Sequence, residues 1–278
     1  MLSFPNCKIN LGLYVTNKRT DGYHDLETVF FPLPLTDVLE IIETKEAVPK
    51  LFVTGKTIDA APETNLVRKA WQLMREQFGE RVPVFEIYLH KVLPMGAGLG
   101  GGSADGSFML KMLNEYCGLG LDGEVVSELA LQLGSDCPFF LNNTACFAAG
   151  RGEKMEPVAL DLSEYSLQLI CPKVHVSTRD AFSMLQPQKA GFDLRGLDML
   201  PVINWKEAIR NDFEAPVFRQ YPVLGKIKEQ LYEQGAVYAS MSGSGSAVFG
   251  LFPKKQKASV KADVEFEEFY LEDVSDPL

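Results

Sequence analysis

The sequence has no apolar run approaching the roughly 18 residues needed to cross a bilayer. Its start, MLSFPNCKINLGLYV, lacks the positive charge and small-residue cleavage site of a secretory leader. A soluble, cytoplasmic chain is expected. Cysteine is scarce and scattered: Cys7, Cys117, Cys137, Cys146 and Cys171, with no C-x-x-C pair. An odd, dispersed set suggests neither a disulfide framework nor a zinc site, and points to buried reduced thiols. Positive charge is in deficit, with 27 Lys and Arg against 37 Asp and Glu, a formal net charge of −10. That balance repels nucleic-acid backbones and anionic membranes, so neither is expected as a main partner. A local basic pocket for a phosphorylated small molecule stays compatible with it. No low-complexity tract or internal repeat is visible. At 46% hydrophobic and 10% aromatic residues the chain can build real cores. Its 278 residues favour two domains over one.

Residues 6–15 alternate as a strand, with Ile9, Leu11, Leu13 and Val15 on one face and Lys8 and Asn10 on the other. A lone strand lysine is ordinarily solvent-exposed. Further strands are expected at 26–34, 37–43 and 84–91. A helix is expected at 64–78 with Thr64 as its cap, another from Ser103 to Tyr116, and a third at 122–134 closed by Gly134. CPFFLNNTACFAAGRGEKMEPV reads as strand, turn and strand. The composition shifts near 150–157, which places a domain boundary there: 1–152 and 153–278. The second part reads as strands at 165–171 and 246–252, and helices near 179–185, 204–210 and 223–234. Strands and helices without a regular dinucleotide-fold rhythm make the class α+β. The acidic end, EFEEFYLEDVSDPL, reads as a solvated strand or tail.

The densest chemical signal is PMGAGLGGGSADG, residues 94–106. Each glycine costs backbone entropy, and so many together suggest close approach of backbone to a ligand. The loop follows the strand FEIYLHK and opens a helix, so N–H groups and the positive helix end favour an anion there. It is not a Walker loop, because no lysine follows the glycines. Gly96, Gly98 and Gly101 also satisfy the dinucleotide pattern G-x-G-x-x-G. However, LDGEVVSEL, about twenty residues on, looks helical where a strand ending in an acid is needed. A nicotinamide oxidoreductase therefore stays an alternative. SMSGSGSAVFGLF sets glycines before a strand, either as a loop able to pack closely on another loop or a phosphate, or as an ordinary glycine turn. In LGSDCPFFL, Asp136 is either a turn former or a carboxylate facing a substrate hydroxyl.

PNCKINLGLYV, PMGAGLGGGSA and SMSGSGSAVFGLF resemble the three motifs of the GHMP kinases, a superfamily including galactokinase, homoserine kinase and mevalonate kinase. PNCKINLGLYV followed by RTDGYHDLETVF is similar to the branch that phosphorylates a cytidine-diphosphate-linked polyol in the non-mevalonate route to isoprenoid precursors. The resemblance spans almost the whole chain in order and spacing. It implies a two-domain GHMP kinase architecture, with an N-terminal domain like ribosomal protein S5 domain 2, a ferredoxin-like C-terminal domain and an active site in the cleft between them. The implied reaction passes a phosphoryl group from ATP, with Mg²⁺, to the 2-hydroxyl of 4-(cytidine 5'-diphospho)-2-C-methyl-D-erythritol. Asp136 matches the base and Lys8 its partner. Asn10, Tyr23, His24, Phe30, Thr178 and Phe182 match substrate positions, the aromatics around the cytosine. On the nucleotide side stand Asn65, Lys91, Pro94, Met95, Gly96, Ala97, Gly98, Leu99, Gly100, Gly101, Gly102, Ser103 and Ala104; no direct metal ligand is assigned. Gly106 departs from the pattern, since relatives often carry alanine there. The alternatives are a homoserine- or mevalonate-type kinase, or a nucleotide-binding module without catalysis. A monomer or weak homodimer is expected. The chemistry agrees: phosphoryl transfer needs positioning and charge neutralisation, one carboxylate for the hydroxyl proton and one cation for the alkoxide.

Overall fold

The structure is a computed structural model that describes residues 1–57 and 61–274. In chain order its strands and helices are β1 (Leu2–Ser3), β2 (Asn6–Lys18), β3 (His24–Thr36), β4 (Val38–Glu43), β5 (Lys50–Gly55), α1 (Leu66–Phe78), β6 (Phe85–Lys91), α2 (Gly101–Tyr116), α3 (Gly123–Leu133) and α4 (Phe139–Asn142). There follow β7 (Cys146–Gly150), β8 (Lys154–Pro157), β9 (Tyr165–Pro172), α5 (Thr178–Ser183), α6 (Trp205–Ala208), α7 (Glu214–Gln220), α8 (Pro222–Glu233), β10 (Tyr238–Met241), β11 (Val248–Pro253) and β12 (Phe266–Leu271). The chain forms two compact units: residues 1–7, 35–95 and 100–143, and residues 8–34, 96–99 and 144–278. Where the composition suggested one cut at 152, the units interleave in sequence, because residues 8–34 belong with the later part of the chain.

In the first unit a sheet of order β1-β4-β6-β5 carries α1, α2 and α3 on one face. β6 shows why: Phe85, Ile87 and Leu89 are buried while Glu86, Tyr88 and His90 alternate outward. Those three meet Val67, Ala70 and Met74 of α1, which recur at helical spacing, and Met109, Leu110 and Leu113 of α2. Asn65, not Thr64, caps α1; its side-chain oxygen accepts the Val67 N–H at 2.9 Å, while the Thr64 hydroxyl donates to the Ala61 carbonyl. Gly106 has a packing reason: a Cβ there would lie 3.0 Å from the Leu66 Cβ of α1, so the glycine lets two helices approach. The apolar run at Phe139–Leu141 is helix rather than strand, and only the later half of that segment forms the expected hairpin, β7 with β8. A short apolar run has no periodicity to separate the two choices.

The second unit holds two sheets, β2-β3-β7-β8 and β10-β11-β9-β12. In the latter all neighbours are antiparallel, and its order, second-third-first-fourth in the chain, is the ferredoxin-like one. The acidic end is accordingly no free tail: β12 pairs with β9 from Phe266 to Leu271, while residues 275–278 lie outside the described residues. β2 departs from the expected two-faced strand. From Asn6 to Val15 both faces are buried, Lys8 and Asn10 included.

Candidate active site

Three glycines shape the loop ahead of α2. Gly96, Gly98 and Gly100 have φ of +67°, +79° and +73°, while Ala97 and Leu99 between them do not, and this alternation builds a concave run of backbone N–H groups. The carbonyls of the stretch are tied back. Ala97 O accepts from Ala247 N at 3.1 Å, Leu99 O from Lys8 N at 2.9 Å, and Gly98 O from both Lys8 Nζ at 3.1 Å and Ser242 Oγ at 2.9 Å. The side of the loop left to meet a ligand is the N–H side, which favours an anion. α2 starts at Gly101, two residues earlier than expected, so the amides of Gly101, Gly102 and Ser103 form its first turn, where no intrahelical acceptor exists.

Gly98 is small because another loop presses on it. A Cβ there would sit 2.0 Å from the Ser242 carbonyl oxygen. The glycines of 242–246 do pack on another loop, one of the two readings their sequence left open. Gly101 has Leu93 beneath it, with a Cβ contact of 3.2 Å. Gly102 is different, since a Cβ would meet only Met95 Cε, at 3.8 Å.

Lys91, expected beside the nucleotide, has no solvent exposure in its side chain. Its ammonium pairs with Asp37 and, at 2.7 Å, with Asp105 in the second turn of α2. The other Asp37 oxygen accepts the N–H groups of Val92 and Leu93 at 2.6 and 2.9 Å. The side chain of Lys91 thus anchors the strand end and α2 on either side of the loop. Burial pushes the Asp105 carboxyl up to about 7 from 3.8, against the pull of Lys91 and helped by Asp37. Between those values the folded chain keeps a proton that the unfolded chain releases. The stability due to Asp105 is therefore full below pH 3.8 and lost as pH rises through about 7. Denaturation midpoints should fall from pH 5 to pH 8 in the parent and run flatter in Asp105→Asn. Parallel profiles would mean that Asp105 is ionised throughout this range.

On β2, Lys8 Nζ also donates to Asn10 Oδ1 at 2.7 Å, and the Asn10 amide donates to Thr28 Oγ1 at 2.9 Å. Thr28 in turn donates to the Gly12 carbonyl at 2.6 Å. The ammonium lies 5.0 Å from the centre of the buried Phe30 ring. In the same unit His24 stacks on Phe182 with centroids 4.8 Å apart, and Phe182 meets Phe213 edge-on. Partial burial, and secondarily Lys18, lowers the His24 pKa and favours the neutral imidazole. Tyr23 is 52% exposed, with the Arg151 guanidinium 3.9 Å over its ring. Thr178 Oγ1 lies 3.2 Å from Ser244 Oγ of the 242–246 loop. Asp136 is half-buried in the turn between α3 and α4, a helix–helix junction. That turn is tied to α2, because Ser107 Oγ sits 2.7 Å from the Cys137 carbonyl. Burial pushes the neighbouring Cys137 thiol up to about 11, which removes it as a nucleophile at neutral pH. Sequence reasoning missed Thr28, Asp37, Asp105 and Ser242; Asp37 stood outside the quoted segments, while the other three were passed over inside RTDGYHDLETVF, PMGAGLGGGSADG and SMSGSGSAVFGLF.

The GHMP kinases N terminal domain family matches residues 65–144, and the GHMP kinases C terminal family matches residues 201–269. A 4-diphosphocytidyl-2-C-methyl-D-erythritol kinase of Bacteroides fragilis strain YCH46 is 52% identical over 267 residues, 95% of this chain and 96% of that protein. The chain belongs to the GHMP kinase family. A crystal structure of a 4-(cytidine 5'-diphospho)-2C-methyl-D-erythritol kinase matches it with a TM-score of 0.78 at 31% identity, over 92% of this chain and 91% of that one. The homoserine kinase of Cytophaga hutchinsonii, at 18% identity and a TM-score of 0.67 over 96% and 94% of the two chains, shares the GHMP kinase fold. Membership makes the chain an ATP-dependent kinase with two domains of mixed α/β content. For a GHMP kinase, Gly102 is the position that separates phosphate contact from folding. Gly102→Ala sits in a helix with room for its Cβ, so it should keep the melting temperature and raise the KM for ATP about tenfold. An unchanged KM would place the phosphates away from this turn.

Proposed function

We propose that this GHMP kinase transfers the γ-phosphoryl group of ATP to the 2-hydroxyl of 4-(cytidine 5'-diphospho)-2-C-methyl-D-erythritol, a step of isoprenoid precursor synthesis by the non-mevalonate pathway. The observation that carries the reading is 52% identity across 95% of the chain to a kinase named for that substrate. The local geometry supports it. The loop at 96–102 offers N–H groups to phosphates, and the first turn of α2 adds its dipole. Asp136 accepts the proton of the attacking hydroxyl. Lys8, buried and oriented by Asn10 and the Gly98 carbonyl, offsets the charge developing on that oxygen. His24, Phe182 and Tyr23 supply flat surfaces of the kind a pyrimidine stacks on, and neutral His24 keeps a ring nitrogen able to accept a hydrogen bond. Lys91, its ammonium held by Asp37 and Asp105, serves the nucleotide through the backbone it fixes, whereas Asn65 spends only Oδ1 on its cap and can offer its amide nitrogen to the nucleotide. Among the described residues no group of three or more His, Cys, Asp or Glu is arranged around a metal, so Mg²⁺ fits as an ion carried on the triphosphate. When bound there it neutralises phosphate charge.

The test is a single incubation of the purified chain with ATP, Mg²⁺ and the cytidine-linked polyol. The polyol should gain the mass of one phosphate while ADP appears in equal amount. ATP binding with an unchanged polyol mass would leave only a nucleotide-binding module.

A further inference from the structure

We infer that Asn211, which lies outside the three glycine and lysine motifs, is a positioning residue that sets the 242–246 loop against the Gly98 carbonyl and Lys8, and through them the rate of phosphoryl transfer; this rests on the kinase reading above. Asn211 is 2% exposed and pinned by backbone to the strand that bears Lys8 and Asn10. Leu13 N donates to Arg210 O at 2.9 Å, Asp212 N donates to Leu13 O at 2.8 Å, and Leu13 and Asn211 form a parallel bridge. From that fixed base the side chain reaches the loop. Nδ2 donates to the carbonyls of Met241 and Gly243, both at 2.8 Å, and Oδ1 accepts the Phe213 N–H at 2.9 Å. Both amide protons and the oxygen are thereby used, which is why a primary amide suits the position.

The loop so held meets Lys8 and its surroundings through Ser242 and Gly243. Ser242 Oγ donates to Gly98 O, the same carbonyl that accepts the Lys8 ammonium, and Asn10 Oδ1 lies 3.4 Å from that hydroxyl. Gly243 packs so closely that its Cβ would be 3.3 Å from Gly98 Cα. A shift of Gly243 is therefore a shift of Gly98 and of the oxygen that orients Lys8. The strand leading into the loop has its own brace, since Glu214 Oε1 accepts Met241 N at 2.9 Å and Ser240 Oγ at 3.1 Å. Removing the Asn211 amide should therefore release the loop without unpicking β10. A purely structural Asn211 would matter through Phe213 N, a bond that aspartate can also accept while turning a second oxygen toward two carbonyls.

The experiment compares Asn211→Ala, Asn211→Asp, Ser242→Ala and Asn211→Ala/Ser242→Ala with the parent. In folded protein Asn211→Ala and Asn211→Asp should each lose about 10- to 100-fold in kcat, with both KM values within about threefold of the parent. The double variant should be no worse than about threefold below the poorer single one, because both act on the same carbonyl. Hydrogen exchange should quicken at the amides of Ser242, Gly245 and Ala247 in both Asn211 variants. Retention of kcat within about twofold, rescue by aspartate, or a double loss equal to the product of the single losses would overturn the inference. A parent without turnover would instead refute the kinase reading. Exchange at those three amides would then decide the role of Asn211 alone, unchanged rates refuting it.

Discussion

Asp136→Asn is expected to lower kcat by about two to four orders of magnitude, the range for loss of a general base. The amide keeps the size and most of the hydrogen bonding of the carboxylate, so substrate KM values should move far less. Asp136 lies half-buried in a turn rather than within a core, and the turn is secured by backbone: Cys137 N donates to Gly134 O at 3.1 Å. The melting temperature should therefore change little. A turn former with no chemical role makes the opposite prediction, lost stability with kcat preserved. Lys8→Met should also cut kcat, since a positive charge beside the alkoxide counts most in the transition state. If base and cation act as a unit, the double variant will be much less impaired than the product of the single losses. A folded Asp136→Asn enzyme retaining more than about a tenth of the parent kcat removes the base role.

Gly98→Ala should produce the largest loss of stability of any single methyl added to the loop. An alanine at φ +79° is strained by itself, and its Cβ would lie 2.0 Å from the Ser242 carbonyl oxygen, a backbone atom that no rotamer can move. We expect more than about 3 kcal/mol of destabilisation, read from denaturant midpoints. Gly22→Ala is the internal comparison: φ is +87° and nothing lies within 4 Å, so it should cost only about 1 to 2 kcal/mol. Equal losses at the two positions would mean that the approach to Ser242 relaxes freely. Glycine content alone suggests close approach of this backbone to a ligand. The nearer obstacle is protein.

That correction shows where sequence reasoning reached and where it stopped. The glycine loop, the strand before it and the helix after it were legible because glycine cost and helix dipoles act locally. Lys8 and Asn10 were placed on one strand face correctly, yet their burial was not legible. Alternation reports that two faces differ, and a strand covered on both sides needs knowledge of the second cover. Lys91 stood on the nucleotide side by resemblance alone, and its pairing with Asp37, 54 residues away, matches no local pattern. Thr64 and Asn65 are both good caps, and one residue's difference in helix start decides between them. Ser242 sat inside a motif read only for its glycines, so its hydroxyl bond to Gly98 went unseen.

The measurement that bears most directly on the function is acceptor-dependent ADP release by one preparation, with 4-(cytidine 5'-diphospho)-2-C-methyl-D-erythritol, homoserine and mevalonate compared at equal concentration. The proposed reading predicts stoichiometric ADP and a phosphorylated product with the cytidine-linked polyol, and only background release with the other two. Turnover with homoserine or mevalonate and none with the polyol would contradict it.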